Sequence, residues 1–598
     1  MNHSSPTLAE TQSARYVFSG FRLEPDGRLL RGESTVLLST EETAVLRLLL
    51  ARAGETVSPL ELKRAAWGDK RVSSDVVAKC IASLCGKLQP ADCIECVYKR
   101  GYRFVTAVHR RDAEVDSALP RLAVLPFTVG YGVANYLGSA IAEETATALC
   151  GGELAVAKAV ARDSIAALAR RGTAPLEIGR MLNADLVLCG TLNATPERLR
   201  LRAAMTRVAD GCELWIDDLM VERKQIAQLE WELVHRVSSR MNREGLSIAA
   251  VAARDVEDGG SPFRGEAHEL YLRAHHEWQM HERHHMQDAV GLLQRAIELD
   301  SSLVAARTDL AHLCVAQAIY GFMPASVSAS MVRRAAQISP ASEDLLWVPL
   351  AWIRFHVDRD LGAALDAFAR SAHLPHDEWV TRLRLKFLLS RRQFEPALDE
   401  LRAAIQIDPY SPWLQAELAW ALHLAGQAEE SVDQVRRAIS QFTECAMAHL
   451  YGAMILGWNG EAARAVELAR ALASRLAHFD AAMSVHAYAL ACAGRKEEAR
   501  TLLERLQWLG RERFVMNSFD AATYVAMEED EAALDVLRIA NERRCPWFFQ
   551  LLADPRLQPL SGRPEFERMR GILRTMETGA ETARDNGEET DWIAARAG

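Results

Sequence analysis

The sequence predicts a multidomain protein in which an α+β domain is followed by an α/β domain and then by an all-α solenoid of helical repeats. Three patterns predict this order: short alternating segments mixed with three amphipathic helices, then apolar strands alternating with helices, then a helical pattern with a period of 34 residues. At 598 residues the chain is too long for one hydrophobic core. The predicted boundaries are a flexible tail at 1–14, the first domain at 15–108, a linker at 109–120, the second domain at 121–243, a linker at 244–264, the repeats at 265–574 and a disordered tail at 575–598.

The composition is that of an ordinary globular protein, with 49% hydrophobic and 25% charged residues. No apolar run approaches the roughly 18 residues that a membrane-spanning helix needs, and the first residues lack the apolar stretch of a signal peptide. We therefore expect a cytoplasmic protein with no membrane partner. The 11 cysteines are an odd number and are scattered, which favours free thiols in a reducing compartment. Cys93 and Cys96 form a CxxC, but no second pair stands at zinc-ribbon spacing.

The net charge of −10 is unevenly distributed along the chain. Between Arg15 and Arg111 there are 17 Lys and Arg against 11 Asp and Glu, a net of +6, so the remainder carries −16. A basic module on an acidic body is what a DNA-binding protein needs when its other parts must not adhere to nucleic acid.

The first domain contains the local signals of strands and three short helices. Ser39 or Thr40 is predicted to cap the first helix, with Glu41 or Glu42 in its first turn, and Ser58-Pro59 is predicted to open the second. The predicted elements are strands near Tyr16–Leu23 and Leu29–Leu37, a helix after Ser39, a helix ending at Trp67-Gly68, a helix from about Ser74 to Leu88, and a hairpin made of Cys93–Tyr98 and Tyr102–Val108.

This segment resembles the OmpR-type winged helix-turn-helix, and within it the CadC/HilA-like branch of regulators. The wing Val97–Phe104, with the sequence VYKRGYRF, is the most specific match. Further matching residues are Phe21-Arg22-Leu23, Leu38-Ser39, Glu42, Val57-Ser58, Glu61-Leu62, Trp67, Asp75, Cys80-Ile81, Leu84 and Lys87-Leu88. The resemblance covers about 95 residues and implies a bacterial transcription regulator, an activator, which in the HilA-like branch controls virulence or secretion genes.

The resemblance also implies which side chains touch double-stranded DNA. In this family the third helix enters the major groove and the wing holds a basic residue near the minor groove. Carried over to this sequence, the DNA contacts are Ser73, Ser74, Ala78, Lys79, Ser83, Lys87, Lys99, Arg100 and Arg103, while Ile81, Leu84 and Leu88 face the core. The loop Asp69-Lys70-Arg71 between the second and third helices is implied to meet RNA polymerase.

One departure from the family concerns the charge of the third helix. Relatives usually carry Arg where this sequence has Cys85, and often where it has Ser83. Fewer cations displace fewer counterions, so the affinity of a monomer should be modest, which favours a homodimer or a weak, regulated binder. A second hypothesis stays open on this ground: an interaction scaffold built on the helical repeats, with a weak or vestigial DNA-binding domain.

The second domain is similar to the N-terminal domain of TolB and to FlgO. The residues that carry this similarity are Leu122–Phe127 as a first strand, Ile141–Glu144 in a helix, Ile178–Gly190 as a helix and a buried strand, and Ile226–Met241 as a closing helix. The domain contains no phosphate-cradling glycine loop of the P-loop or GxGxxG kind. We expect a structural or sensory module without a cofactor.

The repeat region is marked by three glycines, Gly426, Gly460 and Gly494, in steps of 34 residues, the period of the tetratricopeptide repeat. Five residues after each glycine position stands a small residue, which lets the second helix of a unit approach the first. The small residues are Ala397, Ser431, Ala465, Ala499 and Ala533, and apolar residues follow them at +4 and +7. We expect seven or eight units from 265 to 543, with a concave groove for a protein or peptide ligand, or alternatively a solenoid that acts only as a scaffold or dimer surface.

An HExxH pattern, His281–His285, is the one enzyme-like motif in the sequence. In zincins such a motif lies within a helix, so that both histidines bind one zinc ion and the glutamate acts as a base. Here it falls at the turn between the helices of the first predicted repeat, and no third ligand segment follows. We therefore interpret these histidines as surface residues and expect neither an enzyme nor a metal site.

Overall fold

The computed structural model describes residues 14–585, except 19–20, 24–26, 32–33, 37, 69–74, 89–92, 98–99, 107, 113–118, 151–154, 224, 244–263, 280–281, 338–342, 372–377 and 477. By its contacts the chain divides into two compact units, one built around residues 1–121 and the other containing most of the remaining residues. Within the described ranges, no helix combines the length and the apolar character that crossing a membrane would require.

The first domain contains two antiparallel sheets. Their strands are β1 Ala14–Phe18, β2 Phe21–Leu23, β3 Leu29–Arg31, β4 Ser34–Val36, β5 Thr56–Val57, β6 Ile94–Val97, β7 Gly101–Phe104 and β8 His109–Asp112. The larger sheet has the strand order β4-β3-β2-β1-β8, and the smaller has the order β5-β7-β6.

Strand β8 corrects the predicted start of the linker at residue 109. Its residues are mostly charged, but the backbone of β1 needs hydrogen-bonding partners whatever side chains the neighbouring strand carries. β8 supplies them in an antiparallel register that places Arg110 opposite Tyr16. The α+β domain therefore extends at least to Asp112.

Three helices complete this domain and confirm the predicted caps: α1 Thr40–Ala51, α2 Pro59–Trp67 and α3 Asp75–Lys87. Ser39 and Glu42 form a capping box at the start of α1, and Ser58 and Glu61 form another at the start of α2. Phe18 packs edge-on against Phe104 of the wing with ring centroids 5.1 Å apart. The domain thus closes around its own core, because these rings and the apolar faces of α1 and α3 are fully buried together.

The second domain is an α/β domain with a mixed sheet. Its elements are β9 Arg121–Val124, β10 Thr128–Val129, α4 Tyr136–Cys150, β11 Lys158–Ala159, α5 Arg162–Arg170, α6 Pro175–Met181, β12 Leu186–Ala194, β13 Arg198–Arg207, β14 Glu213–Glu222 and α7 Ile226–Arg243. The sheet has the order β11-β9-β12-β13-β14, and β10 also pairs with β12. β12 runs parallel to β9 and antiparallel to β13, and it provides the buried centre of the sheet.

The third part is all-helical, with eight helix hairpins in the described residues, as the period predicted. The pairs are α8 Arg264–Gln279 with α9 Arg283–Leu299, α10 Val304–Ile319 with α11 Ala325–Gln337, α12 Glu343–Ile353 with α13 Leu361–Arg370, α14 Glu378–Ser390 with α15 Phe394–Ile407, α16 Pro412–Leu424 with α17 Ala428–Gln441, α18 Ala446–Trp458 with α19 Ala462–Arg475, α20 Asp480–Cys492 with α21 Lys496–Glu512, and α22 Asp520–Ala526 with α23 Asp530–Glu542.

The chain continues beyond the hairpins as α24 Phe548–Leu551, a 3-10 helix Pro555–Leu560 and α25 Pro564–Asp585. Helix α25 corrects the predicted start of the disordered tail at residue 575. Met576 and Ala580 lie on a buried apolar stripe that continues from Leu573. The polar composition of this segment hid a helix with one apolar face.

The turn geometry of the repeats is more regular than their sequence. Gly426, Gly460 and Gly494 have the left-handed φ values that end one helix and allow the next to start, at +78°, +86° and +76°. Arg392 and Glu528, one step of 34 residues before and after these glycines, adopt the same conformation with φ of 61° and 69°. The five small residues that follow these turns are all fully buried, so the predicted reason for their size is confirmed.

The α/β domain packs against the repeats at two places. At the first, the Asp408 carboxylate accepts hydrogen bonds from the Ser164 backbone N–H at 3.0 Å and from the Ser164 hydroxyl, while Ser411 donates to Asp163 at 2.7 Å. At the second, His275 of α8 lies 2.8 Å from Glu143 of α4. Polar contacts in two regions that are far apart along the chain therefore hold this domain against the solenoid.

The first helices of several hairpins contact a segment of the chain that follows the last hairpin. Trp547 donates its indole N–H to the Ile319 carbonyl at 2.8 Å, and Gln550 accepts from the Trp420 indole at 3.0 Å. Asp554 accepts from His423 Nε2 at 3.1 Å. The segment Trp547–Arg556, which we call the inner segment, therefore touches the first helices of repeats that lie more than a hundred residues away in the sequence. The open groove expected from the repeat period is, over this stretch, an interior.

Candidate nucleic-acid interface

Helix α3 has one buried and one exposed face, as the resemblance implied. Val77, Ile81, Leu84 and the following Leu88 are buried in the domain core. The opposite face presents Ala78, Lys79, Ala82 and Ser83 to solvent. Three of these four side chains are small, so the helix backbone can approach a flat or grooved surface closely.

Glu42 connects the start of α1 to the end of α3. Its carboxylate accepts hydrogen bonds from the Ser39 backbone N–H at 2.7 Å, from the Ser83 hydroxyl at 2.6 Å and from Lys87 Nζ at 2.6 Å. Burial works to raise the pKa of Glu42, but the hydrogen bonds from Lys87, Ser83 and Ser39 outweigh it and hold the pKa below its usual value. Glu42 therefore stays charged and neutralises Lys87.

The sequence did not predict this role of Glu42. The capping pattern marked it as a local helix-start residue, whereas its contacts to Ser83 and Lys87 cross more than 40 positions of sequence. A glutamate that is only 7% exposed is the kind of residue that needs partners beyond its own helix. Among the predicted DNA contacts, Ser83 and Lys87 thus also hold the domain together.

The tip of the wing places Arg100 in solvent and Gly101 against the body of the domain. The Arg100 backbone N–H donates to the Val97 carbonyl at 2.9 Å, which closes the turn between β6 and β7. Gly101 has a φ of +142°, and a Cβ there would lie 2.0 Å from the Val57 carbonyl oxygen. Only glycine fits this position, and the turn it allows projects Arg100 outward.

Arg103, also predicted to contact DNA, lies opposite Glu95 in the β6–β7 ladder. Its Nη2 donates to Glu95 Oε2 at 2.6 Å, and both side chains are about half exposed. An exposed pair of this kind is weak and can exchange partners. In contrast, neither Lys79 nor Arg100 forms an ion pair with another residue that the structure describes.

Several predicted site residues lie outside the described residues. These are Ser73 and Ser74 before α3, Lys99 in the wing, and Asp69, Lys70 and Arg71 of the implied polymerase loop.

The HExxH pattern is divided by a helix start, since α9 begins at Arg283 with Glu282 as its N-cap. Ligand atoms of Glu282, His284 and His285 lie within 4.8 Å of one another. His285 Nδ1 is 2.5 Å from Glu277 Oε2, and His284 is exposed. His281, the first histidine of the pattern, lies outside the described residues.

A family model and curated proteins each match part of the chain. A family model described as "Transcriptional regulatory protein, C terminal" matches residues 32–104. The transcriptional regulator HilA of Salmonella typhimurium is 36% identical over 135 residues, which is 21% of this chain and 23% of that protein. HilA of Salmonella typhi gives the same identity and coverage. The chain thus aligns with less than a quarter of the length of these curated relatives.

Solved structures resemble parts of this chain. The DNA-binding domain of E. coli CadC covers 16% of this chain and 94% of its own, at 23% identity and a TM-score of 0.15. Yeast Tom70 covers 58% of this chain and 76% of its own, at 14% identity and a TM-score of 0.32. The tetratricopeptide domain of P58(IPK) covers 60% and 95%, at 12% identity and a TM-score of 0.17.

Proposed function

We propose that this protein, part of which is similar to the transcriptional regulator HilA, is itself a DNA-binding transcription activator. The observation that carries the proposal is the division of α3 into a face buried in the domain core and an exposed face with Lys79 among small side chains. Such a helix enters the major groove, while Arg100 at the wing tip reaches the neighbouring minor groove.

The fragment 1–112 should fold alone and bind DNA. Its core consists of its own residues, and β8 ends at Asp112. We expect binding to genomic fragments at about 50 mM salt and a steep loss of affinity towards about 200 mM, because each phosphate contact releases counterions. Electrophoretic mobility shifts over a salt series measure this. An affinity that does not change with salt concentration, or no binding at low salt, would contradict the proposal.

Lys79→Ala and Lys87→Ala should have different effects, although both lysines lie on α3. Lys79 has no described carboxylate partner, so its loss should reduce the slope of log affinity against log salt by about 1. Lys87 is neutralised by Glu42 at 2.6 Å. Its loss should mainly lower the stability of fragment 1–112, by about 1–3 kcal/mol, because Glu42 then lacks its charged donor. The reverse pattern would show that Lys87 turns from Glu42 to phosphate in the complex.

We also propose that Asp69, Lys70 and Arg71 meet RNA polymerase. Alanine at both Lys70 and Arg71 should lower transcription in a reconstituted assay. Operator affinity should change by about threefold at most, which is less than about 1 kcal/mol. Parallel losses of transcription and affinity would assign these cations to DNA instead.

The repeats would supply the signal that regulates the DNA-binding domain. With the inner segment in place, the inner side of the repeats offers less room to a long peptide than an open solenoid would. A homodimer remains part of the proposal, because two modest DNA-binding domains on adjacent half-sites bind more tightly than one. Sedimentation of the full chain with and without operator DNA tests it, and a monomer on DNA would contradict it.

The interaction scaffold remains a second candidate on one observation. Two of the predicted DNA-contacting cations, Lys87 and Arg103, have carboxylate partners 2.6 Å away. A domain that had lost DNA binding would keep its charges neutralised in this way. The salt series with fragment 1–112 distinguishes the two functions, because a scaffold should bind no genomic fragment at low salt.

A further inference from the structure

Two histidines and a glutamate lie together at the start of α9, in the first hairpin of the repeats. One ligand atom from each of Glu282, His284 and His285 lies within 4.8 Å of the other two. His284 Nδ1 is 3.7 Å from Glu282 Oε2, and the two imidazole rings have their centroids 3.9 Å apart. Among the described residues, no other three side chains of His, Cys, Asp or Glu group their ligand atoms this closely. We call these three residues the 284 cluster.

Glu277 of α8 holds the His285 ring in one orientation. Its Oε2 lies 2.5 Å from His285 Nδ1. An ionised carboxylate can only accept a hydrogen bond, so Nδ1 carries the proton and Nε2 keeps the lone pair that a metal ion needs. Histidine ligands of metal ions are commonly oriented in this way, by a carboxylate on the ring nitrogen that does not bind the metal. Glu277 is only 17% exposed, so its contact with His285 is partly shielded from water.

The guanidinium of Arg283, which separates Glu282 from His284 in the sequence, is directed elsewhere. It donates to Asp480 at 2.9 Å and to the carbonyl oxygens of Phe322 and Gly321 at 3.2 and 3.3 Å. Successive residues of a helix point in directions about 100° apart, so a cation between two ligands in sequence need not lie between them in space. The charge of Arg283 therefore serves a contact within the repeats and does not occupy the 284 cluster.

A cation at a helix start needs negative charge nearby, because the first turn of a helix carries a partial positive charge. Glu282 and Glu277 supply two carboxylates at this point. Glu282 is the N-cap residue of α9, yet its side chain forms no capping hydrogen bond and is 43% exposed. This carboxylate can therefore turn towards an ion without giving up a contact that starts the helix.

We propose that Glu282, His284 and His285 bind one Zn²⁺ ion, with a water molecule as the fourth ligand. Two imidazoles and one carboxylate suit zinc, whereas Mg²⁺ and Ca²⁺ prefer oxygen ligands alone. Zinc–ligand bonds of about 2.0–2.2 Å place the donors of a tetrahedral site roughly 3.4 Å apart. His284 is 58% exposed, so it and Glu282 can close the remaining distance by rotation of their side chains.

This site differs from the zincin pattern in the residues that bind the ion. In the HExxH pattern His281 and His285 would be the ligands and Glu282 the base. Here Glu282 is itself a ligand, so the site fits a structural or regulatory ion rather than a catalytic one. Through His285 and Glu277 the ion would tie the start of α9 to α8. Because α8 also contacts the α/β domain, zinc would stabilise the hairpin against which that domain packs.

The site is tested by calorimetric titration of the full chain, without an affinity tag and after removal of metal by a chelator. ZnCl₂ is the probe and MgCl₂ the control for a cation that prefers oxygen. We expect a zinc Kd of about 10 μM or tighter and a magnesium affinity at least about 100-fold weaker. No zinc binding up to about 1 mM, or equal binding of the two ions, would overturn the proposal.

Variants assign the bound zinc to its ligands, since exposed thiols such as Cys96 can also take up this metal. His284→Ala and Glu282→Gln should each weaken the tight site by about 100-fold, and Glu277→Gln, which keeps all three ligands, by about tenfold. The matched control is His478→Ala, because His478 is exposed and lies outside the 284 cluster. Its zinc affinity should equal that of the parent. Far-UV circular dichroism confirms that each variant is folded, and unchanged zinc binding in His284→Ala and Glu282→Gln would show that the cluster is not the site.

His281→Ala separates this assignment from the zincin pattern. We expect its zinc affinity to stay within about threefold of the parent, a difference below about 1 kcal/mol. Loss of zinc binding in His281→Ala but not in His284→Ala would place the ion on the HExxH histidines and contradict the proposal. The result is independent of DNA binding, because the titration uses no DNA and fragment 1–112 contains none of the ligands.

Discussion

Asp554→Asn is expected to destabilise the repeats by about 3–5 kcal/mol, because it removes the charge that balances a buried arginine. Asp554 accepts from Arg556 Nη2 at 2.7 Å and from His423 Nε2 at 3.1 Å. Asp554 and Arg556 are 3% and 2% exposed, so solvent cannot take the place of the lost carboxylate. Urea unfolding followed by far-UV circular dichroism measures the change.

The matched control is Asp399→Asn on the second helix of the fourth hairpin. Asp399 pairs with Arg402 at 3.6 Å, but 78% of its side chain is exposed. The free energy of unfolding should change by no more than about 0.5 kcal/mol, as for most exposed pairs. Similar shifts in both variants would mean that the inner segment is not anchored by Asp554.

The same carboxylate has an expected pH dependence. Burial works to raise the pKa of Asp554, but Arg556 and His423 outweigh burial and hold the pKa far below the usual value. For a carboxylate with a lowered pKa, the stabilising contribution is fully present above the pKa of the unfolded chain and is lost progressively as the pH falls from there towards the folded value. The difference between parent and Asp554→Asn should therefore persist down to about pH 4, near the unfolded pKa of an aspartate.

Arg100→Ala is expected to weaken specific DNA binding by about 1–3 kcal/mol, roughly 5- to 150-fold, while the melting temperature stays nearly unchanged. Arg100 is exposed at the wing tip and has no described carboxylate partner, so folding does not depend on its charge. The loss should be greater on operators with an A·T-rich flank than on those with a G·C flank, because a narrow minor groove has the more negative potential. Fluorescence anisotropy on the two flanks measures this.

Gly101→Val provides the opposite case at the adjacent position. The added Cβ would lie 2.0 Å from the Val57 carbonyl oxygen, so this variant should lose stability first. If Arg100→Ala binds both flanks as tightly as the parent does, the wing does not read DNA, and recognition rests on α3 alone.

Features that depend on residues a few positions apart could be predicted from the sequence. The capping boxes at Ser39 and Ser58, the buried face of α3 and the 34-residue register of the hairpins all follow from spacings within one helix or one repeat unit. The turns at Gly101 and at the three repeat glycines could also be predicted from the sequence, because backbone sterics act locally.

Features that depend on distant segments were decided by the tertiary structure. Whether Lys87 and Arg103 face solvent or a carboxylate depends on Glu42 and Glu95, which only folding brings within 2.6 Å. The strand pairing of His109–Asp112 and the buried face of α25 could not be predicted, because both segments are mostly polar in sequence.

The sequence alone determined that helical hairpins repeat in the third part of the chain and in which register. How far each hairpin turns relative to the next depends on side-chain packing at every interface, and these small rotations add up along the array. Their sum brings Trp547 to Ile319 and turns a predicted groove into an interior with a pocket.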